Sequence, residues 1–267
     1  MLSSLKKYLL VPRLVKLSAQ APKDPHAAWD QYWANITSTG AQGDVLWDSG
    51  DDHELLGHLE HLKRQMHPEL PIVDIGCGDG AFSRRLAAHF PHVLGVDVAA
   101  TAISRARAES EGMEGISFVA VDMTAAGAAR SVAAALDAAG MPGEANLFIR
   151  GVLHVLKPRA RAALAGQLHQ LVGKHGRVFL AETDFRGNAV EYVSHLGATR
   201  HGIPAPLAAA IRGLPMPGRF GPAQRVRAFP EARWDVVEDG PTVIETRPLT
   251  SNEPERIPGY FAVLQAR

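Results

Sequence analysis

Between residues 72 and 183, short apolar runs alternate with segments that have helical periodicity. The runs read IVDIG, HVLGVDV, ISFVAVDM, ANLFIRG and GRVFLAET, and stretches such as GAFSRRLAAHF and ARAALAGQLHQLV separate them. Short runs that are apolar throughout are typical of strands buried on both faces, and a helix between two such strands allows them to run parallel. The sequence therefore predicts an α/β fold in which helices cover both faces of a mostly parallel sheet.

The segments on either side of this alternation have a different character. Residues 1–70 carry two helical patterns, one beginning near Asp24 and one over residues 52–67, and we expect them to form an N-terminal helical cap. Residues 71–267 would then form the main domain. Within it, residues 185–230 are rich in glycine, proline and arginine and contain no clear strand, which favours a cover inserted between strands five and six.

Strand-like patterns return in the last part of the chain. RWDVVEDGPTVIETR is typical of a β-run, and PGYFAVLQAR is typical of a final strand. The pair Asp239–Gly240 is a turn signal. It predicts a turn inside the first of these two runs.

Charge and cysteine content narrow the classes of function. The 267 residues include 28 Lys plus Arg and 28 Asp plus Glu, a balance that argues against a surface built to neutralise nucleic-acid phosphates. Cys77 is the only cysteine, so the sequence predicts no internal disulfide and no zinc cluster, and we expect a reducing, cytoplasmic location. A small-molecule partner fits this composition better than a nucleic acid does.

The N-terminal stretch MLSSLKKYLLVPRLVKLSAQ is basic and contains no acid. Its apolar runs are too short to span a bilayer and Pro12 interrupts them, so we expect no transmembrane segment. Leu2, Leu5 and Leu9 share one helical face. We favour a short amphipathic helix that packs on its own domain or on a second copy in a homodimer; peripheral contact with a membrane surface and a transit peptide are open alternatives.

A glycine-rich turn follows the first predicted strand, in the sequence VDIGCGDG. Gly76, Gly78 and Gly80 allow positive φ and let a ligand approach the backbone closely. Their spacing is G-x-G-x-G, which differs from the G-x-G-x-x-G of the dinucleotide fingerprint. Asp74, two residues before the first glycine, would repel a pyrophosphate and attract a ligand with an ammonium group.

Two further acids stand where the next two predicted strands end. Asp97 lies 21 residues after Gly76, a distance at which a carboxylate can accept hydrogen bonds from two ribose hydroxyls. Asp122 ends the third predicted strand. Open α/β sheets bind ligands at the carboxyl ends of their strands, so the acids predict a binding edge. The alternative for each acid is a helix N-cap.

These motifs together resemble the class I S-adenosylmethionine-dependent methyltransferases. The stretches that carry the resemblance are VDIGCGDG, GVDVA, VAVDM and LFIRGVLHVLKP, and it covers roughly residues 70–185. The resemblance implies a Rossmann-like, doubly wound, seven-stranded sheet with an antiparallel last strand. It also implies S-adenosylmethionine as the cofactor.

The resemblance further implies roles for individual residues. Asp74 and the backbone of Gly76, Cys77 and Gly78 would hold the methionine part, Asp97 the ribose hydroxyls and Asp122 the adenine amino group. Val98 and Met123 would pack on the adenine, and Arg150 with Gly151 would line the methionine end. Trp47, in the segment VLWDSG, would contact the cofactor, and its alternative is packing in the core. Cys77 is interpreted as a small residue that fills the turn, without thiol chemistry.

Methyl transfer needs an acceptor lone pair in line behind the methyl carbon, in a dry pocket, and a base only where the acceptor must lose a proton. The candidate bases are His154, which follows strand four, and Glu182 and Asp184, which follow strand five. Their alternatives are surface, packing or capping roles. The apolar character of the predicted cover favours a lipophilic small-molecule acceptor.

Three other classes of function stay open at this point. A protein could retain the cofactor-binding fold without transferring a methyl group, as a regulatory subunit does. A nicotinamide oxidoreductase is disfavoured by the glycine spacing and by Asp74. A membrane-anchored interaction protein would depend on the first twenty residues.

Overall fold

The computed structural model describes residues 10–40, 42–48, 52–141, 143–247, 249 and 254–267. The predicted amphipathic helix over Leu2, Leu5 and Leu9 lies outside these residues, as does the end of the VLWDSG segment. In the described part of the chain, no helix combines the length and the apolar character that crossing a bilayer requires.

Helices and strands alternate through the middle of the chain as the periodicity predicts. The helices are α1 (Val11–Ser18), α2 (Pro25–Ala34), α3 (His53–Gln65), α4 (Ala81–Ala87), α5 (Ala100–Glu109), α6 (Ala128–Ala138), α7 (Pro158–Leu171), α8 (Ala189–His195), α9 (Ala205–Gly213) and α10 (Pro222–Ala228). The strands are β1 (Ile72–Ile75), β2 (Val93–Asp97), β3 (Ile116–Ala120), β4 (Asn146–Arg150), β5 (Val178–Thr183), β6 (Trp234–Thr246) and β7 (Glu255–Ala266).

The seven strands form one sheet in the order β3-β2-β1-β4-β5-β7-β6. Strands β1 to β5 are parallel, whereas β7 is antiparallel to both of its neighbours, β5 and β6. The strand order reverses on the two sides of β1, which is the position where doubly wound sheets bind ligands. The prediction of a mostly parallel, Rossmann-like seven-stranded sheet with an antiparallel last strand is confirmed.

Alternate residues of the central strands face different halves of the core. Ile72 and Phe148 belong to a cluster shared with α1, α2 and α3, and Val73 and Leu147 belong to a second cluster on the opposite face. This period of two follows from the pleat of a strand. Both faces of the sheet are therefore buried, and the N-terminal helices share a continuous core with it.

Helix α2 begins where the sequence predicts. The side chain of Asp24 accepts a hydrogen bond from the backbone N–H of His26 at 3.1 Å, and Pro25 occupies the first helical position. Both features are typical of helix N-termini, since proline needs no partner for its missing N–H there.

The turn predicted at Asp239–Gly240 is wrong. Asp239 and Gly240 lie within β6 and pair with Ala262 and Phe261 of β7. A Cβ on Gly240 would come 3.1 Å from the ring of Phe261, so the glycine makes room for an aromatic ring across the strand pair. Asp239 accepts a hydrogen bond from the Tyr260 hydroxyl at 2.6 Å. Cross-strand packing therefore outweighs the local turn preference.

The insert over residues 185–230 contains no strand, as expected, but it is more helical than its glycine and proline content indicates. Helices α8, α9 and α10 lie within it. Backbone hydrogen bonds tie its end to the sheet: the N–H of Gly218 donates to His154 at 2.9 Å, and that of Phe220 donates to Thr183 at 2.8 Å. The insert is thus held over the carboxyl ends of β4 and β5.

A buried ion pair links α3, β4 and β6. The Arg150 guanidinium donates to both carboxylate oxygens of Glu54, at 2.7 and 2.6 Å, and to the carbonyl oxygen of Glu245 at 2.8 Å. The backbone N–H of Glu245 donates to Glu54 at 2.8 Å. Burial alone would raise the pKa of Glu54, but the charge and hydrogen bonds of Arg150, together with His58, outweigh it and hold that pKa at about 2.

Replacing Glu54 by Gln should lower the free energy of unfolding by about 3 kcal/mol, because Arg150 would remain buried without a countercharge. Urea unfolding followed by circular dichroism measures this change. As a control, Asp235→Asn removes the exposed partner of Arg267 and should cost less than about 1 kcal/mol. Equal losses for the two variants would contradict a special role for the buried pair.

Candidate active site

A cavity of about 370 Å³ opens at the carboxyl ends of the parallel strands. This volume lies in the range of small-molecule pockets. Helix α2, residues 45–48, the loop after β4 and the cover helices α8 and α9 form its walls. The residues proposed for cofactor binding all border it: Trp47, Asp74, Gly76, Cys77, Gly78, Asp97, Val98, Asp122, Met123 and Arg150.

The turn after β1 requires glycine because of its backbone conformation and the protein side chains packed against it. Gly76 and Gly78 have φ angles of 77° and 56°, a region that other residues rarely adopt. A Cβ on Gly76 would meet the side chain of Val152, and a Cβ on Gly78 would lie 2.5 Å from Cζ2 of Trp33. The space beside these glycines is therefore occupied by protein side chains, although their backbone does line the cavity.

The helix-cap alternative for the three strand-end acids does not apply. The N-cap residues of α4, α5 and α6 are Gly80, Ala99 and Gly127. Asp97 instead accepts hydrogen bonds from the backbone N–H groups of Gly78 and Ala99, each at 2.9 Å. It thereby fixes the glycine turn against the end of β2.

Asp74 lies in β1 and is buried. The Ser83 hydroxyl donates to it at 2.6 Å. Burial raises the pKa of Asp74 to about 7, the Ser83 hydrogen bond opposes this rise, and the charge of Asp97 adds to it. Burial likewise raises the pKa of Asp97. A cation placed beside these carboxylates would favour their ionised forms.

Asp79, a residue that the sequence reasoning did not single out, adds to the negative end of the cavity. It is buried, and burial raises its pKa to about 6. Its Oδ2 atom is buried without a hydrogen-bond partner in the described structure. Across the described ranges, none of Asp74, Asp79 and Asp97 forms an ion pair with a basic side chain. This end of the cavity therefore has a surplus of negative charge.

Asp122 lies near the start of the loop after β3 and is more accessible. Its Oδ1 accepts from the backbone N–H and the hydroxyl of Thr124, at 2.8 and 2.7 Å. Its Oδ2 lies 3.5 Å from Nε2 of His26. Because Thr124 occupies only Oδ1, the second oxygen has acceptor capacity left, and Asp122 lines the cavity.

Arg150 borders the cavity but its donors are used inside the protein. Besides Glu54 and Glu245, it donates to the carbonyl oxygen of Trp47 at 3.1 Å, and its guanidinium lies 4.8 Å from the ring centre of Phe82. Its contribution is therefore to fix the segment around Trp47 against the end of β4.

Trp47 combines both roles that the sequence left open. It packs against Trp29 and Tyr32, with ring centres 5.6 and 5.3 Å away, and it also lines the cavity. Trp29 and Trp33 of α2 line the cavity as well, and the sequence analysis missed them. Their spacing with Tyr32 on one helix, in WDQYW, is the signal that would have found them.

Cys77 is a buried member of the turn. Its thiol lies in a small cluster with Ile103 and Phe118. Burial, and then the charges of Asp97 and Asp74, raise the pKa of the thiol. A thiol that stays protonated and packed against apolar side chains is a poor nucleophile.

His154 and Glu182 are neighbours in space. The carboxylate of Glu182 is fully buried and accepts hydrogen bonds from the backbone N–H groups of Val152, Leu153 and His154 at 2.9, 2.8 and 3.0 Å. It also lies 2.8 Å from Nδ1 of His154. His154 lines the cavity, whereas Glu182 lies behind it. Glu182 thus holds the loop that presents His154.

Asp184 is in a different position from the other two candidate bases. It accepts a hydrogen bond from Nε of Arg219 at 2.7 Å, and it is not among the residues that line the cavity. A Cβ on Gly221 would lie 2.5 Å from its Oδ1. Asp184 therefore connects the end of β5 to the insert.

Comparisons with known proteins agree with this geometry. Residues 72–176 match the model of a family described as a methyltransferase domain. A solved structure of an SAM-dependent methyltransferase from Anabaena variabilis is 25% identical, with a TM-score of 0.78 over 92% of this chain and 97% of that one. No curated protein matches the sequence significantly.

More distant structures share the fold. An SAM-dependent methyltransferase from Methanosarcina mazei is 15% identical, with a TM-score of 0.55 over 77% of this chain and 96% of that one. Magnesium protoporphyrin IX methyltransferase from Synechocystis, solved with bound SAH, is 14% identical, with a TM-score of 0.52 over 90% of this chain and 93% of that one.

The family model, the strand order and the acids at successive strand ends all lead to the same family. The nicotinamide oxidoreductase alternative has no support from them. By its methyltransferase domain and its fold, the chain is an S-adenosylmethionine-dependent methyltransferase, an enzyme whose cofactor is S-adenosylmethionine.

Proposed function

We propose that this methyltransferase acts on a small, lipophilic acceptor. The observation that carries the proposal is that one cavity has two ends of different chemistry. The strand-end side carries the acids and the glycine turn. The other end is walled by mostly apolar side chains from the insert and the last two strands: Tyr192, Val193, Leu207, Ala210, Ile211, Leu214, Met216, Ile244 and Ile257. A wall of this composition favours an apolar ligand.

The acid end fits a cationic adenosyl cofactor. S-Adenosylmethionine supplies a methyl group bound to a positively charged sulfonium. Asp74 and the backbone of the glycine turn would hold the methionine part, where three buried acids lack a basic partner in the described structure. Asp97 accepts one backbone hydrogen bond on each oxygen, which leaves acceptor capacity for two ribose hydroxyls.

The neighbouring strand ends would hold the base. Val98 and Met123 border the cavity and offer apolar contact for adenine. Asp122 has an oxygen available for the adenine amino group. Trp47 and Arg150 would close the methionine end, Trp47 by direct contact and Arg150 by fixing the segment that carries it.

The helical cap at residues 1–70 and the insert at residues 185–230 would together close the cavity. Helix α2 supplies Trp29 and Trp33 to the cavity wall, and α9 supplies Leu207 and Ile211. Walls of this kind orient the acceptor and exclude water, two effects that supply much of the rate in a transfer without covalent catalysis.

Transfer of an isotope-labelled methyl group from S-adenosylmethionine to a series of small lipophilic acceptors tests the proposal. We expect labelled product and S-adenosylhomocysteine in equal amounts with at least one apolar aromatic acceptor. Tight binding of S-adenosylmethionine without transfer to any acceptor would instead favour a regulatory protein with the same fold. Activity confined to protein or nucleic-acid acceptors would contradict the small-molecule assignment.

Replacing Asp97 by Asn should weaken S-adenosylmethionine binding by about tenfold to a hundredfold, because hydrogen bonds to a charged acceptor contribute about 1.5–3 kcal/mol each. Isothermal titration calorimetry measures the affinity, and urea unfolding checks that the fold persists. Asp137→Asn, on the exposed face of α6, is the matched control and should bind normally. Unchanged affinity in the Asp97 variant would defeat its assignment to the ribose.

Affinity for S-adenosylmethionine should fall as pH drops below about 7. The pKa of Asp74 is raised to about 7 in the protein alone, so at lower pH the carboxyl must lose a proton before it can pair with a cation. Because protonation of Asp74 favours the unbound protein, the affinity falls by up to about tenfold for each pH unit below this pKa.

Calorimetry between about pH 6 and pH 8 in two buffers of different ionisation enthalpy would detect the released proton. The Asp74→Asn variant should bind more weakly at high pH and show a flatter pH dependence. A wild-type affinity that is constant over this range would rule out Asp74 as the partner of the cationic end.

A further inference from the structure

His154 lines the cavity, and its Nδ1 lies 2.8 Å from the buried carboxylate of Glu182. We infer that the acceptor atom is a hydroxyl oxygen and that His154, positioned by Glu182, removes its proton. This inference rests on the proposed function, since it concerns the acceptor of the same methyl transfer. It is carried by the way the two ring nitrogens of His154 are used.

One ring nitrogen of His154 is committed to the protein. Nδ1 lies 2.8 Å from the carboxylate of Glu182. That carboxylate also receives three backbone N–H groups, so it acts only as an acceptor, as an ionised carboxylate does. An acceptor on this side requires that Nδ1 carries the hydrogen.

The other ring nitrogen is then the basic one. In a neutral imidazole with hydrogen on Nδ1, Nε2 has the free lone pair. Among the described residues, Nε2 of His154 has no hydrogen-bond partner, and His154 borders the cavity. A carboxylate that orients an imidazole, with the second nitrogen directed to the reacting group, is the arrangement of a positioned general base.

The apolar end of the cavity, where the methyl acceptor would bind, favours an acceptor with a neutral O–H group. Between Val152 and Ile257, the described residues that line the cavity include no carboxylate, so an ammonium acceptor would find no countercharge there. Carboxylic acids are ionised at neutral pH without a base, and thiols, with a pKa of about 8.5, ionise more readily than a phenolic hydroxyl, whose pKa is about 10. A positioned base therefore has its greatest effect on a hydroxyl acceptor.

The transfer balances with these two residues. The O–H bond of the acceptor breaks and its proton passes to Nε2 of His154. The oxygen electron pair forms the new bond to the methyl carbon, and the electron pair of the broken carbon–sulfur bond stays on sulfur, which leaves as an uncharged thioether. The positive charge that starts on sulfur thus ends on the imidazole, 2.8 Å from the Glu182 carboxylate.

His154 is the catalytic residue in this inference and Glu182 is a positioning residue. The carboxylate also shapes the loop, because the backbone N–H groups of three consecutive residues, Val152, Leu153 and His154, all donate to it. The same loop supplies the Val152 side chain that fills the space beside Gly76. The base is therefore placed by the same contacts that shape the glycine turn.

A set of matched acceptors, assayed at about pH 8, tests the inference: 4-propylphenol, 4-propylaniline and 4-propylthiophenol, with 4-nitrophenol as a phenol that is mostly ionised at this pH. We expect the wild-type enzyme to methylate the phenol in preference to the aniline and the thiophenol. His154→Ala should lower kcat for 4-propylphenol by about 10²- to 10⁴-fold, the usual contribution of a general base. The loss should be much smaller with 4-nitrophenol, because most of its hydroxyl groups are already ionised.

The chain offers a chemically matched control pair. Nδ1 of His175 lies 2.9 Å from the Glu144 carboxylate, and both side chains are exposed at the opposite edge of the sheet. His175→Ala and Glu144→Gln should leave kcat for every acceptor unchanged. Calorimetry with S-adenosylmethionine should give wild-type affinity for His154→Ala, which separates a loss of base from a loss of cofactor.

A second readout needs no turnover. Nitrogen NMR of the histidine ring should find hydrogen on Nδ1 of His154 in the wild type, and Glu182→Gln should lose this preference while Glu144→Gln keeps it. His154→Gln gives a further variant for the acceptor series where Glu182→Gln does not fold. A wild-type ring with hydrogen on Nε2 would overturn the inference.

The remaining outcomes separate the two levels of proposal. Methylation of the aniline or the thiophenol but not the phenol would overturn the hydroxyl assignment and leave the proposed function standing. Equal losses with 4-propylphenol and 4-nitrophenol in His154→Ala would overturn the base role. Transfer to none of the acceptors would overturn the hydroxyl assignment together with the small lipophilic acceptor.

Discussion

A sheet buried on both faces leaves polar side chains few places other than the ends of its strands. In this protein two apolar clusters cover the opposite faces of the sheet. Parallel strands bring all their carboxyl ends to the same edge, so acids that follow different strands become neighbours. Asp74, Asp97 and Asp122 meet around one cavity for this reason. The chemistry of the site is thus a consequence of how the core is closed.

Two buried carboxylates then organise what surrounds that edge. Glu54 pairs with Arg150 and ties helix α3 to β4 and β6. Glu182 accepts hydrogen bonds from the backbone N–H groups of the loop after β4 and orients His154. A buried carboxylate is stable only where donors surround it, so each one fixes the segments that supply those donors. Helix α3 and the loop after β4 are positioned in this way.

Local sequence patterns are sufficient to predict the elements whose formation depends on residues close together in the chain. The strands, most helices and the start of α2 at Asp24 follow from periodicity and capping, which depend on near neighbours in the chain. The turn at Asp239–Gly240 failed because Phe261, a distant residue, needed the space of the glycine. The insert looked irregular in sequence because its helices are short and depend on tertiary contacts.

The site shows the same division. Its acids and glycines were found from their positions after strands, and the resemblance supplied the cofactor. The sequence did not identify Trp29 and Trp33 as cavity residues. It grouped Asp184 with His154 as a candidate base, but Asp184 pairs with Arg219 and does not line the cavity. Nothing in the spacing of residues 154 and 182 indicates that their side chains meet.

The amino-acid order alone determined the strand–helix alternation, the glycine turn and the edge at which the acids stand. Each depends on backbone geometry and on residues close together in the chain. Only the tertiary structure decided which buried carboxylate meets which cation or imidazole, and which side chain fills the space beside each glycine. Those pairs join residues that are distant in the chain, as Glu54 and Arg150 are at 96 positions apart, and their energies exist only once the core has excluded water.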